Sequence, residues 1–131
     1  MNIEKEKSSY YDDIVDNENS PFYKRAKMDV FVAAASIGYY FKKSEQISKR
    51  QDLVILSTMS KEERGRLWIM KSIAISIAGL SVLKDLKEVV KICEGYANYG
   101  IDWLHTVHVE GIDISAELSE KMKEILDEEG N

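Results

Sequence analysis

The sequence has one cysteine, Cys93, and one proline, Pro21, among its 131 residues. A single cysteine cannot form a disulfide within the chain, and the sequence does not open with the basic, apolar and small residues of a secretory signal. Long apolar runs are missing as well. The longest uncharged stretch, Ser72–Leu83, has 12 residues, whereas a membrane-spanning helix needs about 20 apolar ones. The sequence therefore predicts a cytoplasmic protein without a membrane segment.

Motifs of common enzyme classes are also missing. The chain has no GxSxG turn, no GxxxxGK[ST] phosphate loop, no GxGxxG turn and no HExxH pair. Cys93 lies among apolar residues, where burial raises the pKa of a thiol and leaves it a poor nucleophile. We therefore predict a non-enzymatic protein without a cofactor. A pocket that gathers His105, His108 or Cys93 with carboxylates would argue for an enzyme instead.

Two histidines lie near the end of a predicted helix. His105 and His108 are three residues apart, with Asp102 one turn earlier and Glu110 just after them. These residue types bind metals, but at about 100° per residue Asp102 and the two histidines spread over about 120° of helix surface. We therefore expect surface or helix-end histidines and no bound metal.

Charge is distributed unevenly along the chain. The formal net charge is −5, yet residues 1–20 carry two lysines and six acids, and residues 111–131 carry two lysines and seven acids. The first 20 residues lack a sustained apolar period, so they predict an acidic arm that is either mobile or docked as one short piece. Residues 21–131 are predicted to form the helical domain.

Apolar spacing in that domain is typical of helices. The run from Lys27 to Phe41 predicts a buried helix, and Ser60 with Glu63 matches a capping box that begins a helix ending near Gly79. A last helix is predicted over residues 115–128, as a lid on the bundle. The sequence therefore predicts an all-α fold, a compact single-domain bundle of four or five helices.

The helix predicted after Ser60 is apolar on nearly every side from Leu67 onward. Such a pattern is typical of a central helix that neighbours cover on several sides. Its small residues permit a neighbouring helix to approach closely: Ser72, Ala74, Ser76 and Ala78.

The clearest period predicts a further long helix, ended by Gly111. Apolar or small residues recur there in steps of three and four at Leu86, Val89, Cys93, Tyr96, Gly100, Trp103 and Val107. This seam is either the chain's own core or a self-association surface. Glycines weaken a helix by about 1 kcal/mol each, so packing or a kink must compensate at Gly100. We predict protein partners and a homo-oligomer, with these residues in an interface or a structural role: Tyr96, Asn98, Gly100 and Trp103.

A basic segment offers a second hypothesis. Residues 21–51 carry seven lysines or arginines and two acids, and residues 42–52 read as an exposed basic loop. The apolar run Leu53–Leu56 is too short to distinguish a strand from a helix. DNA contact through residues 24–50 is therefore the alternative function, although a pI near 5.1 does not favour nucleic-acid binding. The residues that would carry it are Lys42, Lys43, Lys49 and Arg50.

Two segments are similar to those of a known family. Asp29–Tyr39 reads DVFVAAASIGY, and Glu94–Leu104 reads EGYANYGIDWL. Together they resemble the small proteins encoded beside DNA phosphorothioation genes, the Dnd-system-associated proteins, over roughly residues 21–105. The resemblance implies a setting in host defence linked to sulfur-modified DNA, and it brings no catalytic residues. The leading hypothesis is therefore a non-enzymatic helical accessory protein that acts through protein–protein interaction.

Overall fold

Helices account for most of the computed structural model. It describes residues 1–53 and 60–129, without the side chains of Glu63, Met122 and residues 125–129. The all-α prediction is confirmed. Within the described residues, two 3-10 segments cover Lys5–Lys7 and Leu80–Lys84. The strands are β1 (Asn2–Glu4) and β2 (Arg50–Asp52), and the α-helices are α1 (Ser8–Asp16), α2 (Lys27–Tyr40), α3 (Lys61–Ala78), α4 (Leu86–Val109) and α5 (Ile114–Glu129).

The centre of the fold is the crossing of α2 with α4. A Cβ atom built on Gly38 would lie 2.7 Å from the carbonyl carbon of Tyr96, and one built on Gly100 would lie 2.7 Å from that of Ala34. Real side chains never approach backbone so closely, so glycine at both positions lets the two backbones touch. Packing therefore compensates for the low helix propensity of Gly100.

Helix α3 packs on both α2 and α4. Its inner side buries Met70, Ile73 and Ala74. The Cys93 thiol of α4 donates a hydrogen bond to the carbonyl oxygen of Met70 across this contact (3.5 Å). The helix ends as predicted, since Gly79 has φ 84° and glycine terminates helices readily in that conformation.

The N-terminal residues pack on the same core. Tyr11, Ile14 and Val15 of α1 are buried, together with Met1 and Ile3. The strands pair antiparallel, with residue 2 opposite residue 52. For this segment the sequence did not decide between a mobile arm and one short docked piece. In the structure the core includes residues on both sides of the boundary expected at residue 20.

The segment between α2 and α3 was expected to be an exposed basic loop over residues 42–52, and the structure differs at the end of that segment. Residues 43–49 have no regular structure, but Arg50–Asp52 form β2, because main-chain pairing with β1 requires no apolar period of its own. Residues 54–56 of the apolar run Leu53–Leu56 lie outside the described part of the chain. The Glu63 side chain of the predicted capping box lies outside it as well. The Ser60 carbonyl oxygen accepts the Arg64 N–H (3.0 Å).

The last two helices are bounded by local signals. The Asp85 side chain accepts a hydrogen bond from the Glu88 N–H (3.3 Å) at the start of α4, and Gly111, with φ 70°, follows its end. Helix α5 contacts the core through buried Ile114 and half-buried Leu118. The rest of the predicted lid surface, at 122, 125 and 126, lies outside the described side chains.

Candidate functional site

A row of apolar side chains lies exposed on the outer side of α3. Trp68 is 66% exposed, Ile69 45% and Leu80, in the 3-10 segment that follows, 72%. Scattered apolar residues on a surface are ordinary, whereas contiguous apolar patches are typical of interaction sites. We call this surface the α3 face, and it consists of Trp68, Ile69, Ser72, Ser76 and Leu80.

The two serines of the α3 face do not require a partner for their hydroxyl groups. Ser72 Oγ donates to the Trp68 carbonyl oxygen (2.8 Å), and Ser76 Oγ donates to the Ser72 carbonyl oxygen (3.1 Å). Covering them with another helix would therefore leave no hydroxyl donor unsatisfied. The α3 face thus combines small, internally bonded side chains with large apolar ones.

Basic residues are frequent in α3 and in the 3-10 segment that follows it. The Lys71 ammonium lies 4.6 Å from the centre of the Trp68 ring, and Lys61, Arg64 and Lys84 are exposed. Residues 61–84 contain five lysines or arginines and two glutamates. Residues 61–84 therefore carry a net positive charge, although Arg66 is paired with Asp29.

The prediction that neighbours cover this helix on several sides is wrong for its outer side. The all-round apolar pattern does not show which faces a neighbour covers, because covering elements come from elsewhere in the chain. One signal was present in the sequence: Trp68, Ser72 and Ser76 follow one another at intervals of four, which places a small and polar line on one side.

The residues predicted to contact DNA lie in the segment from the end of α2 to β2. All four are exposed, and Lys42 adopts the left-handed conformation, with φ 58°. The Lys43 ammonium is 5.6 Å from the centre of the Tyr99 ring, and the Lys49 N–H donates to Glu4 Oε1 (3.1 Å). Arg50 Nη1 donates to Glu94 Oε1 (3.0 Å). Part of this positive charge is therefore matched within the chain.

Glu94 is a buried acid that the sequence analysis missed. It is 4% exposed, and it accepts hydrogen bonds from Arg50 and from the N–H of Asn2 (2.6 Å). The signal was its position four residues after Val90 and three before Ala97, on an apolar side of α4. Glu94 also lines a surface pocket of about 390 Å3 with Arg50, Lys91 and Ile77.

The four predicted interface or structural residues all contact their own chain. Tyr96 packs edge-on against Tyr39 at 5.9 Å between ring centres, and Trp103 packs against Phe41 at 5.7 Å. The Asn98 amide donates to the carbonyl oxygen of residue 45 (3.0 Å). Gly100 lies at the helix crossing described above.

A second buried acid, Glu4, fastens the N-terminal strand to the loop before β2. It accepts hydrogen bonds from the Ser48 hydroxyl (2.7 Å), from the Ser48 N–H (2.8 Å) and from the Lys49 N–H. The Ser48 hydroxyl is the main cause that lowers the pKa of Glu4 below its usual value. Ionised Glu4 therefore holds these two segments together.

The histidines and the cysteine lie in separate places. His105 Nε2 is 3.0 Å from Asp13 Oδ2, and its ring stacks on Tyr10 at 4.0 Å. His108 lines a depression of about 400 Å3 with Asp13 and Asp16. Cys93 is buried, and burial raises the pKa of its thiol to about 12. His108 therefore shares a depression with two carboxylates, and neither His105 nor Cys93 lines that depression.

Residues 1–53 and 60–129 contain neither a metal-binding cluster nor a membrane-spanning helix. No cluster of three or more His, Cys, Asp or Glu side chains there is arranged to hold a metal ion. Among those same residues, no helix is both long enough and apolar enough to cross a membrane.

Residues 1–130 match the family described as DNA sulphur modification system-associated protein 4, so the similarity extends over both acidic ends as well as residues 21–105. No curated protein matches the chain, and no solved structure does.

Proposed function

Because the chain belongs to the family of DNA sulphur modification system-associated protein 4, we propose that it is a non-enzymatic accessory protein of such a system. In this proposal it acts in the cytoplasm, in host defence, by binding other proteins. The family is not a known catalytic one. The expected Dnd-system resemblance is confirmed.

The observation that carries the proposal is the exposed apolar α3 face. Burying a fully exposed large apolar side chain contributes about 1.5–3 kcal/mol, and Trp68 and Leu80 are among the most exposed of this chain. Tryptophan is also enriched at the centres of protein interfaces. The buried, protonated Cys93 thiol supports a role without nucleophilic catalysis.

The test is co-purification from cells that carry the complete DNA sulphur modification gene set. The tagged wild-type protein is expected to retain a protein of that system, and the double variant Trp68→Glu/Leu80→Glu is expected to lose it. Val109→Glu is the matched control, because Val109 is also 66% exposed but lies at the end of α4. Equal capture by the wild-type protein and the double variant would contradict the proposal, as would capture of no system protein at all.

DNA contact remains the second candidate, supported by the exposed lysines 42, 43 and 49 in one short segment. A gel shift with duplex DNA tests it, because affinity that depends on phosphate contacts must fall steeply as salt rises. Lys42→Glu/Lys43→Glu/Lys49→Glu should abolish such a shift, whereas Lys123→Glu on α5 should not. The absence of any shift by the wild-type protein at low salt would exclude this candidate.

A further inference from the structure

The pocket beside Glu94 lies where the segment leading into β2, the end of α3 and the first half of α4 meet. Its volume is about 390 Å3, and Ile47, Ile77 and Ile92 form part of its walls. Sites for small molecules in proteins measure about 300–1,000 Å3 and combine apolar walls with a few polar groups. This pocket therefore has the size and the apolar walls of a small-molecule site.

The loop side of the pocket is fastened to α4. The Glu45 N–H donates to the Gly95 carbonyl oxygen (2.9 Å), and a Cβ atom on Gly95 would collide with Ser44 Oγ. Ile47, which follows in the same loop, is buried. Because these contacts lie within the chain, the pocket is formed before any ligand arrives.

An oriented arginine lines the pocket. Arg50 Nη1 donates to Glu94 Oε1 (3.0 Å), while the Asn2 N–H donates to Glu94 Oε2 (2.6 Å). The Arg50 side chain is 49% exposed, and a guanidinium has five N–H donors, so donors remain for a second anion. An arginine held by a carboxylate is pre-organised to bind another carboxylate or a phosphate.

The charges that a ligand meets in the pocket are unequal. Lys91 and Glu88 also line it, and both are exposed. Glu94 is buried, and both its oxygens accept hydrogen bonds, so its charge is already compensated. A ligand therefore meets two positively charged side chains and one carboxylate, beside Ile77, which is 52% exposed. This combination favours an anionic group attached to an apolar body.

We propose that this pocket binds a small organic anion, a molecule that carries a carboxylate or a phosphate group on an apolar body. Arg50 and Lys91 bind the anionic group, and Ile77 and Ile92 contact the apolar part. Glu94 is a positioning residue, because it acts through Arg50. The inference goes beyond the proposed function, which concerns the α3 face.

The experiment titrates matched probes into the isotopically labelled full chain and follows its amide NMR signals. N-acetyltryptophan and N-acetyltryptophanamide share one apolar body, but only the first carries a carboxylate. Naphthyl phosphate and naphthol form a second such pair. Each anion should shift the signals of Ile92 and Gly95 saturably, and each neutral probe should bind about tenfold more weakly or worse. Equal affinity within both pairs, or saturable shifts only outside the pocket, overturns the proposal.

Two lysine variants separate a local contact from the charge of the whole chain. Lys91→Met should weaken binding of both anions about tenfold, because a charge-assisted contact is lost. Lys84→Met removes the same charge from an exposed residue of the 3-10 segment that does not line this pocket, so it should leave their affinity unchanged. Both lysines are exposed, and circular dichroism checks the folding. Equal affinities of the two variants contradict the site.

Two further variants test the remaining charges of the pocket. Arg50→Met/Glu94→Gln removes one charge of each sign, so the net charge stays the same. It should nevertheless weaken the anions about tenfold, through loss of the oriented guanidinium. Glu88→Gln removes the one exposed carboxylate and should strengthen their binding about twofold. Weaker binding by Glu88→Gln would show that a cationic group of the ligand occupies the pocket, which overturns the assignment of an anion.

Discussion

Helices α3 and α4 are both rich in apolar and small residues, but the fold uses them differently. In α4 the chain itself covers the seam beyond the exposed Leu86, and Gly100 allows the backbone of α2 to touch it. In α3 only the inner side is covered, and Trp68 remains 66% exposed. Similar composition therefore leads to a core in one helix and to an exposed apolar surface in the other, depending on which neighbours are present.

The largest loss of unfolding free energy should come from adding a side chain where α4 crosses α2. Gly100→Ala places a methyl group against the Ala34 backbone, which neither helix can avoid without moving, so we expect a loss of about 3 kcal/mol in unfolding free energy. Gly65→Ala is the matched control, because it lies in α3 with open space around it. It should gain about 0.5–1 kcal/mol. Urea unfolding measures both, and equal stability of the two variants would contradict the tight crossing.

Smaller losses of unfolding free energy should distinguish the inner side of α3 from its outer side. Met70 is fully buried, so Met70→Ala should cost about 2–3 kcal/mol through lost burial and a cavity. Trp68→Ala removes a larger side chain but should change stability by only about 0.5–1 kcal/mol, mostly from the contact with Lys71. Urea unfolding at low protein concentration, where self-association does not contribute, gives both values. A large loss for Trp68→Ala would mean that the outer side is covered.

The smallest loss of stability is expected at the N-terminal strand β1. There the charged Glu4 side chain, rather than apolar burial, makes the contact with the loop before β2. The folded-state pKa of Glu4 lies below its ordinary value of 4.5. Its contribution to stability is therefore present above that pH and is lost as pH falls through the folded-state pKa.

Glu4→Gln tests this pH dependence against the wild-type chain. The stability difference between the two should be largest near neutral pH and should shrink as the solution is acidified below 4.5. Unfolding midpoints across that range measure it, with Glu6→Gln, at an exposed position, as the control. A difference that does not vary with pH would show that the Glu4 contacts do not depend on its charge.

Several features followed from the sequence by itself. The apolar run from Lys27 to Phe41 and the seam after Leu86 indicated two helices, and the structure has α2 and α4 there. Gly79 and Gly111 marked helix ends because glycine adopts positive φ without strain. The segments Asp29–Tyr39 and Glu94–Leu104 indicated the family. These signals are local, since periodicity and backbone preference act within a few residues.

Tertiary structure alone decided the rest. Whether Glu94 is buried depends on Arg50 and on the main chain of Asn2, which lie 44 and 92 residues away in the sequence. Whether Gly100 packs tightly depends on Ala34, and whether Trp68 is exposed depends on which elements cover α3. Burial is a property of contacts between distant segments, and the pattern of one helix does not contain its neighbours.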